Sequence, residues 1–249
     1  MDRGNWITWY NLPTAGKDEH LAWLYGTYIP KMLKQPGFLY AAHYANAKVA
    51  PAPIIPHTDD QTLPTGNDYI LIFGGETAHA FSKGTAAFIK GAPSKLDTGL
   101  TETDRKMLAM RSGVRVCITT EEARAAGPEA ARREGQYALA PCIQLGSFNA
   151  NSYKSEDEWL SWYADWRMAA LGALPGCIGI RKLVSTSGWA RHIVMYEFTS
   201  LKSRNEGMAS IKTLYPEQAA WTEKCIANLI HAPDSPLVAE RLWPPVPKS

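Results

Sequence analysis

The chain has 249 residues, of which 45% are apolar and 20% are charged, and its formal net charge is +2. This length fits one large domain or two of about 120 residues each, with the composition of a soluble globular protein. The small charge, without a clustered Lys/Arg run, argues against nucleic acid as a partner. The sequence shows neither a signal-peptide pattern nor an apolar run of membrane-spanning length, so we expect a cytoplasmic protein without a membrane partner.

A sequence repeat predicts how the chain is organised. Residues 9–37 align without a gap with residues 148–176, matching an acidic pair, a Leu-x-Trp motif and a Pro-Gly dipeptide, with Trp23 on Trp162. Each copy alone would bury a small core, so we expect the two to pack as a pseudo-dimer that builds any pocket. The expected boundaries are a first unit at 1–125, a linker at 126–140 and a second unit at 141–249.

The first unit is predicted to have the order β-α-β-β-α-β. Pro30 lies late in its first helix and should kink or shorten it. The proline-rich loop at 49–68, which the second copy lacks, is a candidate lid. The predicted elements are strands at 6–10, 38–47, 69–73 and 114–119 and helices at 18–32, 78–90 and 101–110.

The second unit repeats this order with fewer additions. His20 and His231 are expected to be simple helix-start and helix-end residues. The predicted elements are strands at 143–149, 177–184, 192–198 and 237–242 and helices at 156–171 and 216–230. The expected fold is α+β, two tandem ferredoxin-like units packed as a pseudo-dimeric α+β barrel.

This element order, the first helix ending in Pro-Gly and the segment I-V-M-Y-E-F-T-S at 193–200 resemble the dimeric α+β-barrel superfamily. The relevant branches are the stress-responsive barrel and EthD-like proteins, here with two copies fused. The resemblance covers nearly the whole chain and implies a small-molecule pocket. It implies no single reaction, because members include cofactor-free monooxygenases, cyclases, isomerases, dehydratases and haem-containing relatives. Gly74-Gly75 stands where the second copy has Glu197-Phe198, which predicts two pockets that are not equivalent.

The second strand supplies the main catalytic candidate. Strand periodicity places His43 between two alanines on one face, with room for a ligand. Its near-neutral pKa suits a general base or acid, and the alternative is a core histidine bonded to a neighbour. Lys182 takes the matching position in the second copy, and Arg181 faces the other way. The opposite face of the second strand carries Phe38, Tyr40, Ala42 and Tyr44.

Tyrosines and arginines are candidate ligands for an anionic substrate. Since Tyr40 and Tyr44 lie opposite to His43, Tyr10 or a loop side chain would have to join His43 in one pocket. For each tyrosine the alternative is packing with a satisfied hydroxyl. Arg181 and Arg167 could anchor a substrate carboxylate, with surface salt bridging as the alternative. The predicted substrate-binding residues are Trp9, Tyr40, Tyr44 and Arg181.

Two further histidines are catalytic candidates. His57 lies near Asp59 and Asp60 in the long loop, but this spacing is weak for a metal site and favours a loop turn. If that loop closes as a lid, His57 would act beside His43. His79 is a candidate because stress-responsive barrels, which the chain resembles, often carry a working histidine shortly after the third strand.

Known cofactor motifs are missing from the sequence. It contains no G-x-G-x-x-G, Walker, G-x-S-x-G or H-E-x-x-H pattern. The four cysteines lack metal-site spacing, and Cys117 and Cys177 lie in strand-like runs that favour buried, inert thiols. We therefore expect neither cofactor nor metal, and no histidine is clearly placed as a haem ligand.

Together these patterns predict an enzyme that acts on an aromatic or polyketide-like small molecule by acid–base chemistry without a cofactor. Lyase-type reactions such as decarboxylation rank first, because a group that holds an acid, a histidine and an apolar pocket would suffice. The alternatives are a cofactor-free monooxygenase and a non-catalytic protein that sequesters a hydrophobic ligand. The fused copies could be complete as a monomer or associate as a homodimer.

Overall fold

The computed structural model describes residues 2–49, 55–81, 99–133 and 140–247. The strands are β1 Gly4–Asn11, β2 Phe38–Asn46, β3 Tyr69–Gly75, β4 Ser112–Ala126, β5 Cys142–Ala150, β6 Cys177–Ser187, β7 His192–Phe198, β8 Leu229–His231 and β9 Leu237–Trp243. The α-helices are α1 Lys17–Trp23, α2 Ile29–Met32, α3 Glu102–Ala109, α4 Tyr153–Trp162, α5 Met168–Gly172, α6 Leu201–Leu214 and α7 Ala219–Ala227. None of the helices in these ranges is both long and apolar enough to span a membrane.

Eight strands form a closed antiparallel barrel. Their order is β7-β6-β4-β1-β3-β2-β9-β5, and β5 pairs back with β7 to close the ring. The short β8 pairs with the end of β5. The first half contributes β4-β1-β3-β2 and the second contributes β9-β5-β7-β6, so both halves place their strands in the same relative order. The halves meet at the β4–β6 and β2–β9 seams.

Side chains alternate between the barrel interior and two helix-covered faces, as the period of two in a strand requires. The interior cluster is formed by residues such as Ile7, Ile72 and Met195. The cluster between the first half's strands and α1–α3 is called here the first outer layer, and it includes Trp6, Tyr10, Tyr28, Leu71 and Phe73. The corresponding cluster of the second half is the second outer layer, and it includes Phe148, Trp159, Trp162, Tyr163 and Tyr196.

The main helix of each half contains one π-helical turn. Leu24–Tyr28 joins α1 to α2 and Tyr163–Arg167 joins α4 to α5, at the same offset as the sequence repeat. In the first turn the Ile29 N–H donates to the Leu24 carbonyl, five residues back. The helix continues past Pro30 to Met32 rather than shortening at this proline, and a π turn comes directly before it. Pro30 does not cause that turn, because the second half has Ala169 at the matching position.

Two elements near the C-terminus differ from the sequence prediction. Helix α6, Leu201–Leu214, was not predicted, because its buried residues are Gly207 and Ile211 and they form no continuous apolar stripe. The helix predicted at 216–230 ends at Ala227, after which Leu229–His231 pairs with β5. His231 is therefore a strand residue rather than a helix-end residue, because pairing with β5 overrides the helical pattern.

Three strands also differ in detail. Strand β4 continues to Ala126, inside the predicted linker, because it pairs with β6 as far as Gly179. A register shift in β2 turns Phe38 away from Tyr40 and into the first outer layer. The sequence repeat pairs Trp9 with Phe148, but Trp9 lies in the barrel interior and Phe148 lies in the second outer layer. A one-residue gap in the alignment, which pairs Tyr10 with Phe148, brings the two strands into agreement. The predicted helix at 78–90 falls largely outside the described residues, as do parts of the 49–68 loop and of the linker.

Candidate functional site

His43 lies at the centre of an aromatic cluster in the first outer layer. Its side chain is fully buried, with Nε2 2.7 Å from the Tyr10 hydroxyl and Nδ1 2.8 Å from the Tyr25 hydroxyl. The imidazole also stacks on Tyr69, with ring centroids 5.2 Å apart. The barrel order places β3 between β1 and β2, so Tyr10 and His43 approach each other across Tyr69. The π turn of the main helix supplies Tyr25.

This cluster is uncharged near neutral pH. Burial, reinforced by the positive charge of Arg111, lowers the pKa of His43 well below its usual range. The same two causes lower the pKa of His20, which packs beside Tyr10, to about 4. Burial raises the pKa of Tyr10 to about 12 and also raises the pKa of Tyr25. The two hydroxyls and the imidazole therefore form a neutral hydrogen-bonded chain.

A cavity of about 330 Å³ lies next to the hydrogen-bonded chain of Tyr10, His43 and Tyr25. Its volume falls within the range of small-molecule sites. Tyr10 and His43 are not among the lining residues of the cavity. The guanidinium of Arg111 lies between the cavity and these two residues, 4.5 Å from the Tyr10 ring centroid. The lining is mostly apolar, with Thr8 and Arg111 as polar members and Trp6, Tyr28, Leu71, Phe73, Leu108, Val114 and Val116 as the rest.

Arg111 is the cationic group of the cavity. Its Nε and Nη2 are shielded from solvent and have no hydrogen-bond partner among the described residues. These two nitrogens form one edge of the guanidinium, the edge that binds a carboxylate through two parallel hydrogen bonds. The site therefore offers an unsatisfied bidentate donor pair in an otherwise apolar cavity.

The predicted substrate-binding residues lie on the other side of the barrel wall. Trp9 belongs to the interior cluster and stacks on Arg115, whose guanidinium carbon is 4.7 Å from the ring centroid. The Tyr44 hydroxyl donates to the Ala140 carbonyl at 3.0 Å. The Tyr40 hydroxyl accepts from Arg181 at 3.0 Å. As the strand alternation predicts, none of these tyrosines faces His43.

Arg181 is fully buried and its nitrogens are already bonded. Nε donates to Glu121 at 2.6 Å and Nη2 donates to the Asp2 carbonyl at 2.7 Å, in addition to the bond to Tyr40. These contacts connect the N-terminal segment with β4 and β6. In this structure Arg181 therefore links parts of the barrel to one another.

The other two catalytic candidates lie away from the chain of Tyr10, His43 and Tyr25. His57 Nε2 is 2.7 Å from the Ser235 carbonyl, and its ring lies 6.0 Å from that of His231. Both neighbours belong to the second half. His79 is exposed, just after β3. Of the four predicted catalytic residues, the structure brings together His43 and Tyr10.

Sequence reasoning missed Arg111 and Tyr25. Arg111 follows α3 and resembles a surface arginine in sequence. Tyr25 lies inside the helix predicted at 18–32, and the π turn that orients it has no sequence pattern that we recognised.

The second outer layer has different chemistry at the matching positions. Lys182, which corresponds to His43, donates to Glu122 at 2.8 Å and lies 4.9 Å from the Trp159 ring centroid. His192 is 2.7 Å from Glu156, although burial still lowers its pKa. The cysteines Cys117, Cys142, Cys177 and Cys225 are all buried, and burial raises the pKa of each thiol. Within the described ranges, no group of three or more His, Cys, Asp or Glu side chains could hold a metal ion.

Solved α+β proteins resemble this structure over nearly its whole length. One is a "putative monooxygenase" from Fusobacterium nucleatum (TM-score 0.56, 8% identity, 97% of this chain and 93% of that one). Others are an anthrone oxidase-like protein (0.57, 12%, 97% and 92%) and a "putative chlorite dismutase" (0.53, 10%, 97% and 95%). No protein-family model and no curated protein matches the sequence. At these identities the similarity shows the fold alone, which is a closed eight-stranded antiparallel barrel with helices packed outside it.

Proposed function

We propose that this chain is a cofactor-independent enzyme that removes a proton from a flat, anionic small molecule bound in the first outer layer. The observation that carries the proposal is the position of the neutral Tyr10–His43–Tyr25 chain directly behind Arg111, at one end of an apolar cavity. Arg111 would bind the anionic group of the substrate, and the chain would move the proton. The reacting carbon would then lie at the Arg111 end of the cavity, and it would reach Tyr10 when the Arg111 side chain, which separates the two, turns toward the bound anion.

The direction of the hydrogen bonds favours a base over an acid. A neutral imidazole donates from one nitrogen and accepts at the other, so one tyrosine donates to His43 and the other accepts from it. Tyr10 is fully buried, and among the described residues His43 is the acceptor within reach of its hydroxyl, whereas Tyr25 is partly exposed and can donate to solvent. Every donor is satisfied when Tyr10 donates to Nε2 and Nδ1–H donates to Tyr25.

In that direction the Tyr10 oxygen keeps free lone pairs and can accept a substrate proton. Its own proton then passes to Nε2, the Nδ1 proton passes to Tyr25, and the Tyr25 proton passes to solvent. No member of the chain has to carry a full charge at the end of the transfer. This agrees with the low pKa of His43 and the raised pKa values of both tyrosines.

Proton abstraction leaves a substrate carbanion, which favours oxygenation. A carbanion that reacts with dioxygen converts a CH₂ group into a carbonyl and releases water, so the product gains one oxygen atom and loses two hydrogen atoms. The fold neighbours described as monooxygenase and anthrone oxidase-like proteins support this choice by analogy.

Decarboxylation, which ranks first from the sequence alone, becomes the second candidate. In that reaction the C–C bond to the carboxylate breaks, carbon dioxide leaves and the carbon accepts a proton. The same chain can deliver that proton after its hydrogen bonds reverse. The unsatisfied edge of Arg111, which suits a carboxylate, is the observation that keeps this reaction in consideration.

Mass spectrometry of reactions in air and under nitrogen tests the proposal. Purified protein is incubated with a panel of hydroxylated aromatic acids, anthrones and polyketide mimics. A product with one more oxygen and two fewer hydrogens, formed in air alone, supports oxygenation. Loss of carbon dioxide in both atmospheres supports the lyase. Ligands that bind but are recovered unchanged would overturn the enzyme proposal in favour of sequestration.

A variant series tests the proton chain itself. Tyr10→Phe and Tyr25→Phe should each lower kcat by about 100-fold, within the range for general acid–base groups. Tyr153→Phe is the matched control, because Tyr153 is 71% exposed and lies in the second half. Equal activity of all three variants would exclude the chain from the mechanism.

We also infer that the barrel is built from two fused ferredoxin-like units. Three observations support this: the shared strand order of the two halves, the two π turns at the repeat offset, and the positive φ of both Gly37 and Gly176 in the repeated Pro-Gly turn. A glycine is favoured there because side chains rarely adopt that conformation.

A further inference from the structure

The second outer layer contains a smaller cavity of about 80 Å³. It lies between the helix-facing sides of β5 and β7 and the π turn Tyr163–Arg167. Polar side chains of Tyr163, Tyr196, Arg167, His231 and Gln144 reach it. It has room for a few heavy atoms and is too small for an aromatic substrate.

Arg167 is the cation of this cavity, and it has no carboxylate partner among the described residues. Its side chain is more than nine-tenths buried, with a relative exposure of 8%, and its Nε and Nη1 have no hydrogen-bond partner in the described chain. Its guanidinium carbon lies 5.1 Å from the ring centroid of Trp162 and 5.5 Å from that of Trp166. Cation–π contacts compensate only part of the cost of burying a charge.

Two tyrosines complete the polar side of the cavity. The hydroxyls of Tyr163 and Tyr196 hydrogen-bond to each other. One of them donates to the other, so one O–H is left to donate to a third group. Burial lowers the pKa of His231 to about 4, so this imidazole is neutral near pH 7 and adds no competing charge.

We infer that this cavity binds a small planar monoanion, such as a short carboxylate or bicarbonate. The anion would neutralise Arg167 and accept hydrogen bonds from its free nitrogens and from the tyrosine pair. This site is distinct from the Arg111 cavity, since it lies on the second half and its volume is about a quarter of the other. Anion binding would give a role to Arg167, which takes no part in the proposed reaction.

Fluorescence titration tests this inference directly, because Trp162 and Trp166 contact the cation. Full-length protein is titrated with sodium formate and, separately, with bicarbonate, at constant ionic strength set by sodium chloride. We expect a saturable change in tryptophan emission and a rise in melting temperature with both anions. Competition between the two anions would place them in one site, and sulfate should not compete, because it is tetrahedral and larger.

Three variants locate the site. Arg167→Met should abolish the saturable response, and Tyr196→Phe, which preserves packing, should weaken binding by about tenfold through loss of a hydrogen bond to an anion. Arg132→Met, at an exposed arginine outside both cavities, should bind formate as the wild type does. A wild-type protein without a saturable response overturns the inference. Unchanged formate binding in both Arg167→Met and Tyr196→Phe, or binding that is lost in Arg132→Met alone, also overturns it.

Discussion

The two outer layers use the same fold positions for different chemistry. His43 in β2 corresponds to Lys182 in β6, and Tyr69 at the start of β3 corresponds to His192 at the start of β7. The first layer joins His43 to tyrosine hydroxyls, and no carboxylate bonds to that chain among the described residues. The second layer bonds Lys182 and His192 to glutamates.

This difference shows which half is suited to proton transfer. A carboxylate beside a lysine or histidine fixes where the proton and the charge lie. A neutral hydroxyl–imidazole–hydroxyl chain can reverse all of its hydrogen bonds without creating a net charge. The cavity beside the neutral chain, about 330 Å³, is also larger than the cavity of about 80 Å³ in the second layer. This difference supports our proposal that the reaction takes place in the first half and that the second half binds an anion.

The largest expected effect comes from replacing the centre of the neutral chain. His43→Gln keeps one donor and one acceptor but cannot pass a proton readily, so kcat should fall by about 1000-fold. Lys182→Met, at the matching position, should leave kcat within about twofold. Steady-state kinetics on the substrate found by the panel, with far-UV circular dichroism as a folding check, measures both. Comparable losses in the two variants would remove the distinction between the halves.

Removing the cation of the larger cavity should have the next largest effect. Arg111→Met deletes a buried partner of an anionic ligand, which costs about 3 kcal/mol or roughly 100-fold in affinity. Arg132→Met removes an exposed arginine as the matched control. Isothermal titration with an aromatic acid from the panel measures the change. Unchanged affinity in Arg111→Met would show that the acid binds elsewhere.

Stability should fall as the pH drops below about 6.5, because the first half buries neutral histidines. The pKa of His20 is about 4 in the folded protein, against about 6.5 in an unfolded chain. Between these values the unfolded state binds a proton that the folded state does not. The free energy of unfolding therefore falls by up to about 1.4 kcal/mol for each unit by which the pH is lowered in this range.

His20→Phe removes the titrating group and keeps a ring at this position. The second half has such a non-titrating ring, Trp159, at the matching position. The unfolding free energy of the variant should depend less steeply on pH between 6.5 and 4. Urea unfolding at several pH values measures the slope. An unchanged slope would mean that His20 does not titrate as its burial implies.

The smallest effect is expected in the second layer. Glu156→Gln weakens the acceptor for His192 and for Arg191, which should cost about 1 kcal/mol of stability and leave turnover unchanged. Thermal unfolding and the activity assay measure the two quantities on the same sample. A loss of turnover without a loss of stability would reassign this cluster to the reaction.

Much of the fold could be predicted from the sequence because its signals are local. Alternating apolar residues located the barrel strands, and the repeated Trp and Pro-Gly positions indicated two similar halves. The alternation in β2 also placed His43 opposite to Tyr40 and Tyr44 correctly. Helix α6 was missed because its packing depends on a small contact around Gly207 rather than on a stripe of large residues.

The site was predictable only in part because its members meet through tertiary structure. The sequence indicated that Tyr10 or a side chain of the long loop would join His43, because Tyr40 and Tyr44 face the other way, and the structure has Tyr10 there. Tyr25 required the π turn, and Arg111 required the contact of the segment after α3 with Tyr10, and neither feature leaves a periodic signal in the sequence. Arg181 was chosen for its charge, but its contacts with Asp2, Glu121 and Tyr40 are formed by residues distant in sequence.

The closed barrel determines how the protein should behave when its chain is cut. Every one of the eight barrel strands has a hydrogen-bonded neighbour on both sides, so the ring exposes no long edge on which another chain could add a strand. Separating the halves would expose β2 and β4 on one piece and β9 and β6 on the other. A protease cut between the halves should therefore leave the two fragments associated, whereas either fragment made alone should aggregate.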